Sequence, residues 1–203
     1  MKLRYFIYTF LLSYNIIAQK NSIEIGLIRS NYVYDNESMT SELEYEIKPS
    51  LIINFMLSKN SSKLRYGVTY QEYNTGATEG GQIYKWDANY MGPKITYTAL
   101  SKNSIDALFG ISALGLVNGR QLINGSPYNL NKSIEFNGLW FSPSLELSIR
   151  LAKLEKNKIS LKYSVSNSIK LGDQGNERLR FFNQNLFLVF DIDKSKTSPS
   201  DEL

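Results

Sequence analysis

The chain contains neither cysteine nor histidine. Without cysteine there is no disulfide framework, no thiolate metal site and no lipid-bearing thiol. Without histidine the usual imidazole base, the usual zinc ligand and the side chain that titrates near neutrality are all missing. Beyond the N-terminus no apolar run approaches the length of a transmembrane helix. Repeats of solenoid length are absent, and low-complexity sequence is confined to Asp191–Leu203. The formal charge is +4 and the pI about 9.0. The lysines collect in turns and at both ends rather than along one helix face, so they read as solvated charge and no nucleic-acid partner is expected. At 203 residues the chain is one domain's worth.

Met1–Gln19 opens with Lys2 and Arg4, continues through an apolar run from Tyr5 to Ile17, and ends in Ala18-Gln19. This three-part design reads as a secretory signal peptide over residues 1–19. Ile16, two before Ala18, is not small, which leaves the cleavage point open.

The dominant pattern lies between Ile134 and Leu171. Leu139, Phe141, Leu145, Leu147, Ile149 and Leu151 share one parity, while Trp140, Ser142, Ser144, Glu146, Ser148 and Arg150 hold the other. After a lysine-rich turn, Ile159, Leu161, Tyr163, Val165 and Ile169 alternate with Ser160, Lys162, Ser164, Ser166, Ser168 and Lys170. Period-two alternation puts each set on one face of a strand, giving a long hairpin with one apolar and one polar face. Similar signals begin at Ile23, Leu43, Leu64, Ile83, Ile105 and Leu179, for a total of eight strands. The connections alternate in length. DNESMTS, NTGATEGG, Asn118–Ser133 and GDQGNER are long and rich in Gly and Asn, whereas SKNSS, LSKNS and AKLEKNK are mostly shorter and carry lysine. Outer-membrane barrels sort their loops in this way, with an even number of strands.

Alternation alone fits either a membrane barrel or a soluble lipocalin-like one. An eight-stranded barrel has an interior only just wide enough for its side chains. The serine-rich face suits that lumen, and the face of Leu, Ile, Phe and Tyr suits a convex surface against lipid. Each arm of the hairpin also exceeds the roughly 9–11 residues that a tilted strand needs to cross the hydrocarbon. The expected fold is therefore all-β: an eight-stranded antiparallel up-and-down transmembrane β-barrel over residues 20–190, preceded by the signal peptide and followed by a polar tail, 191–203.

The region from about Ser22 to Phe190 resembles the small barrels of the OmpX and OmpA-transmembrane-domain type, and more specifically the short outer-membrane β-barrel domain proteins of Bacteroidota. The resemblance rests on the strand pattern and on Gln184-Asn185-Leu186-Phe187-Leu188-Val189-Phe190, which looks like the aromatic-ended assembly signal of such barrels. That signal normally closes the chain, whereas here Asp191–Leu203 follows. The tail is too short for a wall-anchoring domain, and its final SDEL departs from the retention tetrapeptide in its first residue. The resemblance implies outer-membrane lipid and the barrel-assembly machinery as partners, in a Gram-negative-type bacterium.

Five local expectations follow. Glu42, Glu44 and Glu46 share a strand face near the outer rim, where they sit in water or, less readily, hold a divalent cation. Tyr32, Tyr34, Tyr45, Tyr70, Tyr84, Trp86 and Trp140 fall near outer strand ends, as headgroup-level rings or as a sugar-binding platform. The apolar parity is even at Tyr84, Trp86, Ala88 and Tyr90 but odd at Ile95, Tyr97 and Ala99, which predicts a β-bulge at about Met91–Pro93. At Pro49 and Pro143 the parity is unchanged, which predicts a lost bond without a bulge. Finally, Arg65, Lys94, Asp106, Glu146, Arg150 and Lys162 lie on the polar parity near the short-turn ends of consecutive strands. Their signs nearly alternate, so they are expected to form a belt inside the lumen, with Lys94 reaching Asp106, Asp106 reaching Arg150, and Glu146 between Arg150 and Lys162.

No catalytic residue, metal or cofactor is expected, since the histidine-dependent routes of barrel enzymes are closed. The functional expectation is a non-enzymatic outer-membrane barrel whose loops act at the cell surface, in adhesion or another interaction, or whose wall serves envelope integrity, with any extracellular partner met at Asn118–Ser133 and Thr75–Gly81. A channel for small or apolar solutes and a soluble lipocalin-like carrier are the alternatives.

Overall fold

A computed structural model describes residues 20–35, 44–59, 62–79, 81–154, 157–172 and 178–193. The leader, Glu42 and the end of the tail lie outside them. The strands are β1 (Lys20–Asp35), β2 (Glu44–Ile47), β3 (Ser50–Ser58), β4 (Leu64–Glu79), β5 (Gln82–Lys102), β6 (Ile105–Ile123), β7 (Ser126–Asn129), β8 (Leu139–Leu154), β9 (Asn157–Leu171) and β10 (Arg178–Asp193). A single-turn 3-10 helix, Leu130–Lys132, follows β7.

Every pairing is antiparallel, and the order runs β1-β3-β4-β5-β6-β8-β9-β10 and back to β1. With β2 continuing β3 along β4, and β7 hanging from β6 alone, the wall is a closed eight-stranded barrel. Closure gives each wall strand two hydrogen-bonded neighbours, and among the described residues the short β2 and β7 are each paired on one side only. The final strand reaches Asp193, so Asp191 belongs to the wall, paired with Ser22 and Lys158, rather than to the tail.

The alternation read in the sequence sets the radial direction of each side chain. Ile25, Leu27, Ile95, Phe109, Ile111, Leu145, Leu147, Tyr163, Leu186 and Leu188 are exposed on the outside. Glu24, Asn54, Thr69, Lys94, Ser112, Glu146, Lys162, Ser164 and Asn185 are buried inside. Two glycines serve the lumen directly. A Cβ on Gly110 would stand 2.3 Å from Ser144 Oγ and 2.9 Å from Glu146 Oε1, and one on Gly26 would stand 2.7 Å from Phe187 Cδ1. Both positions leave room for an inward side chain from the neighbouring strand.

The expected bulge at Met91–Pro93 is not there. Tyr70, Thr69, Val68 and Gly67 pair in unbroken register with Met91, Gly92, Pro93 and Lys94. Tyr90 is buried and Ile95 exposed, so they lie on opposite faces. The apolar parity changes there because Trp86, Ala88 and Tyr90 point into the barrel, not out of it. The register shifts of this hairpin fall elsewhere, between Asn89 and Tyr90 and between Thr98 and Leu100. Pro143 pairs with Ile111 in continuous register, as expected. Pro49 does not follow expectation: Ile47 faces Thr75 while Ile52 faces Gln71, so one extra residue is accommodated around Lys48-Pro49. Ser50 Oγ bridges that break, donating to Lys48 O at 3.3 Å and accepting from Asn74 N at 3.1 Å.

Two stretches expected as loops are largely strand. NTGATEGG is the top of the β4–β5 hairpin, turned at Gly81 with φ of 81°. Asn118–Ser133 contains the end of β6, an Asn124-Gly125 turn with φ of 49° and 87°, β7 and the short helix. Positive φ at both central residues is the two-residue hairpin geometry that Asn-Gly favours.

Candidate functional site

The lumen is filled in layers, and β9 and β10 show their order. From the short-turn end β9 turns Ser160, Lys162, Ser164, Ser166, Ser168 and Lys170 inward, and β10 turns Val189, Phe187, Asn185, Asn183 and Phe181 inward in the same direction. A charged layer is followed by a hydroxyl and amide layer, then by aromatics.

In the charged layer Glu24 (β1), Lys94 (β5), Glu146 (β8) and Lys162 (β9) converge. Lys162 Nζ donates to Glu146 Oε2 at 2.8 Å and to Glu24 Oε2 at 2.5 Å, and Lys94 Nζ meets Glu146 Oε1 at 2.7 Å. All four side chains are 5% exposed or less. Asn54 Nδ2 donates to Glu24 at 2.6 Å and Ser144 Oγ to Glu146 at 3.1 Å, which adds neutral donors to both carboxylates. The Phe187 ring lies 4.7 Å from Lys162 Nζ and 5.8 Å from Lys94 Nζ, close enough for both ammonium groups to face its π cloud. Two ammonium and two carboxylate groups cancel, which is what permits burial.

This is part of the expected belt, with one member missed and three displaced. Lys94, Glu146 and Lys162 come together, and Glu24 completes the set. Arg65 instead pairs with Asp191 at 3.3 Å, nearer the short-turn mouth. Asp106 accepts from Ser101 Oγ at 2.5 Å and lines that mouth with Arg150, so Lys94 reaches Glu146 rather than Asp106. Parity fixed which side chains point inward but not their height, because neighbouring barrel strands are staggered. The missed residue did carry a signal: Glu24 alternates with Ile23 and Ile25 on the first strand.

Above the charges, Asn183 Nδ2 donates to Ser166 Oγ at 3.2 Å and to Ser168 Oγ at 3.1 Å, and Ser168 Oγ donates to Ser142 Oγ at 2.9 Å. Tyr73 Oη donates to Gln71 Oε1 at 2.6 Å, tying this layer to the aromatic one.

The aromatic layer holds Tyr73, Tyr90, Trp140, Phe136 and Phe181. Phe181 is stacked on Tyr73 at 4.9 Å and lies 4.5 Å from Trp140, while Tyr90 meets Tyr73 and Trp140 edge-on at 5.2 and 5.8 Å. Trp86 and Trp140 are buried in the lumen, which corrects their expected place in a headgroup girdle. Tyr84 is half-buried and stacked on Trp86 at 5.9 Å. The side chains of Tyr32, Tyr34, Tyr45, Glu44 and Glu46 lie outside the described residues.

The segment 130–138 caps this layer as a stopper. Leu130 and Phe136 are each 2% exposed. The Phe136 carbonyl accepts from Trp140 Nε1 at 3.0 Å and from Tyr90 Oη at 3.1 Å. Lys170 Nζ donates to Ile134 O, and Asn131 Oδ1 accepts from Gly119 N at 2.8 Å. What projects beyond the stopper is the β6–β7 hairpin, with Arg120 and Tyr128 exposed. Beside it a shallow depression of about 200 Å³ is lined by Lys48, Lys85, Asp87 and Arg120.

No protein-family model matches the chain, and no curated protein does. Among solved structures, Neisserial surface protein A is 13% identical, with 86% of this chain and 96% of that chain covered and a TM-score of 0.48. Ail, the attachment invasion locus protein of Yersinia pestis, solved with the heparin analogue sucrose octasulfate, is 11% identical over 85% and 98% of the two chains at a TM-score of 0.48. The outer membrane protein OprG of Pseudomonas aeruginosa is 8% identical over 87% and 97% at 0.47.

Proposed function

We propose that this chain is a closed, non-enzymatic outer-membrane barrel of a Gram-negative-type bacterium, exported by its leader and presenting the β4–β5 and β6–β7 hairpins at the cell surface. The observation that carries the reading is the radial inversion. Paired charges and hydroxyls fill the inside, while Leu, Ile, Phe and Tyr cover the outside around the barrel. Water would penalise such an outer surface, and hydrocarbon would not. The barrel satisfies its own backbone through closed ladders, the condition for a β structure in lipid. The same inversion counts against a lipocalin-like carrier, whose apolar face must point inward. The filled lumen counts against a channel. The absence of histidine and the lack of a free lumen both support a non-catalytic role, in which surface contact falls to Arg120, Tyr128, Lys85 and their neighbours.

Envelope extraction with detergent, followed by gel migration before and after boiling, is the test. The protein should appear in the detergent-soluble envelope fraction and shift on boiling. Recovery in the soluble periplasmic fraction would overturn the reading. Protease added to intact cells should cut the β6–β7 hairpin near Asn124–Tyr128 while sparing the packed stopper. Cleavage there only after the outer membrane is opened would reverse the orientation.

A further inference from the structure

The mouth at the short-turn end encloses a cavity of about 250 Å³. Lys20, Lys59, Lys63, Arg65, Arg150 and Lys158 line it, contributed by β1, the β3–β4 connection, β4, β8 and β9. Among the described lining residues, two carboxylates, Asp106 and Asp191, stand against these six cations. Both carboxylates are already engaged, Asp191 by Arg65 and Asp106 by Ser101 Oγ. The charged layer above contributes no net negative charge, since Glu24 and Glu146 are held by Lys94 and Lys162.

A second observation is independent of this charge. Ser22 lies on the inward parity of β1 at 4% exposure, lines the cavity, and its Oγ has no hydrogen-bond partner. A buried hydroxyl that makes no bond is costly, and a ligand oxygen would satisfy it. Turn lysines that merely sit in water spread outward. Here they line one concave mouth together with Ser22, and low-dielectric walls focus the field of such a cleft.

We infer that this mouth is an anion-binding vestibule for a phosphate-bearing group. Phosphate matches the site better than a single carboxylate, because its several oxygens can face cations on opposite sides of the mouth and the Ser22 hydroxyl together. The group could belong to a lipid headgroup or to a soluble phosphorylated solute; the chemistry is shared. The vestibule's periplasmic position rests on the outer-membrane reading, whereas binding by the purified barrel does not.

Calorimetric titration of the refolded full chain in a neutral maltoside detergent tests the inference, with pyrophosphate, inorganic phosphate and acetate as probes. Pyrophosphate should bind saturably at one site, more tightly than phosphate or acetate, and weaken as salt rises. The double variant Lys63→Glu, Lys158→Glu should lose on the order of tenfold or more in affinity, and Ser22→Ala a few-fold, as expected for lost charge-assisted bonds. Arg29→Glu, exposed on β1 away from the mouth, should change nothing. Unboiled gel migration confirms that each variant is folded, and Ser22→Ala, a minimal change, keeps the test decisive if the charge reversals misfold. Repeating the titration in nanodiscs with and without phosphatidylglycerol separates the sources: competition by the anionic lipid assigns the headgroup, and unchanged affinity assigns a soluble ligand. Absence of saturable binding over chloride, or binding lost in Arg29→Glu but kept in the vestibule variants, overturns the inference. Failure of the fractionation test with pyrophosphate binding intact would instead overturn the membrane reading alone.

Discussion

Replacing Glu146 by alanine should destabilise the folded barrel by about 3–5 kcal/mol, the cost of leaving buried charge unpaired. Glu146 is the hub of the charged layer, since Lys94 and Lys162 both bond to it and Ser144 donates to it as well. Its removal leaves Lys94 without its 2.7 Å partner and Lys162 with Glu24 alone. The companion variant Asp106→Ala should change stability by less than about 1 kcal/mol, because Asp106 sits at the wet mouth and accepts from an exposed serine. Urea unfolding of the refolded protein in lipid vesicles measures both. Adding Lys94→Met to Glu146→Ala should restore part of the loss, since an unpaired ammonium is worse than an apolar stem in the same place. Equal effects of the Asp106 and Glu146 substitutions would show that the layer is solvated and that the ion pairs contribute little.

That contrast marks how far the sequence could be read. Strand number, closure and radial direction were legible because each needs only period-two alternation, and the sequence supplies it from Ile23 to Phe190. Height in the lumen was not legible. Arg65, Asp106 and Arg150 share parity with Lys94, Glu146 and Lys162, yet strand stagger carries the first three to the mouth. Reading the direction of an apolar face failed at one place for a definable reason. Trp86, Ala88 and Tyr90 look like a lipid-facing run, but the barrel uses them and Trp140 as an internal core, so the apolar parity of β5 changes sides without any insertion. A rule that every apolar face points to lipid breaks down wherever the lumen itself is packed. The stopper at 130–138 was hidden for a related reason: Leu130 and Phe136 stand among Asn, Ser and Lys, and nothing local distinguishes them from ordinary loop residues.

Trp140→Ala should cost about 3–5 kcal/mol, the range for removing a large buried aromatic side chain from a packed core. Its indole loses the contacts to Phe181 and Tyr90 together with the hydrogen bond to Phe136 O. With Tyr90 Oη left to hold that carbonyl, the stopper should loosen, and limited proteolysis should cut within 130–138 where the wild type resists. Conductance gives the sharper readout. The aromatic layer and the charged layer are separate obstructions in series, so in a planar bilayer the wild type, Trp140→Ala and Glu146→Ala should each stay silent. The double variant removes material from both levels and should show discrete openings. Openings in Trp140→Ala alone would mean that the charged layer does not close the lumen and that the stopper is the sole seal. A silent double variant that still shows the boiling shift would place the seal in the serine and asparagine layer between them, where Asn183 bridges Ser166 and Ser168.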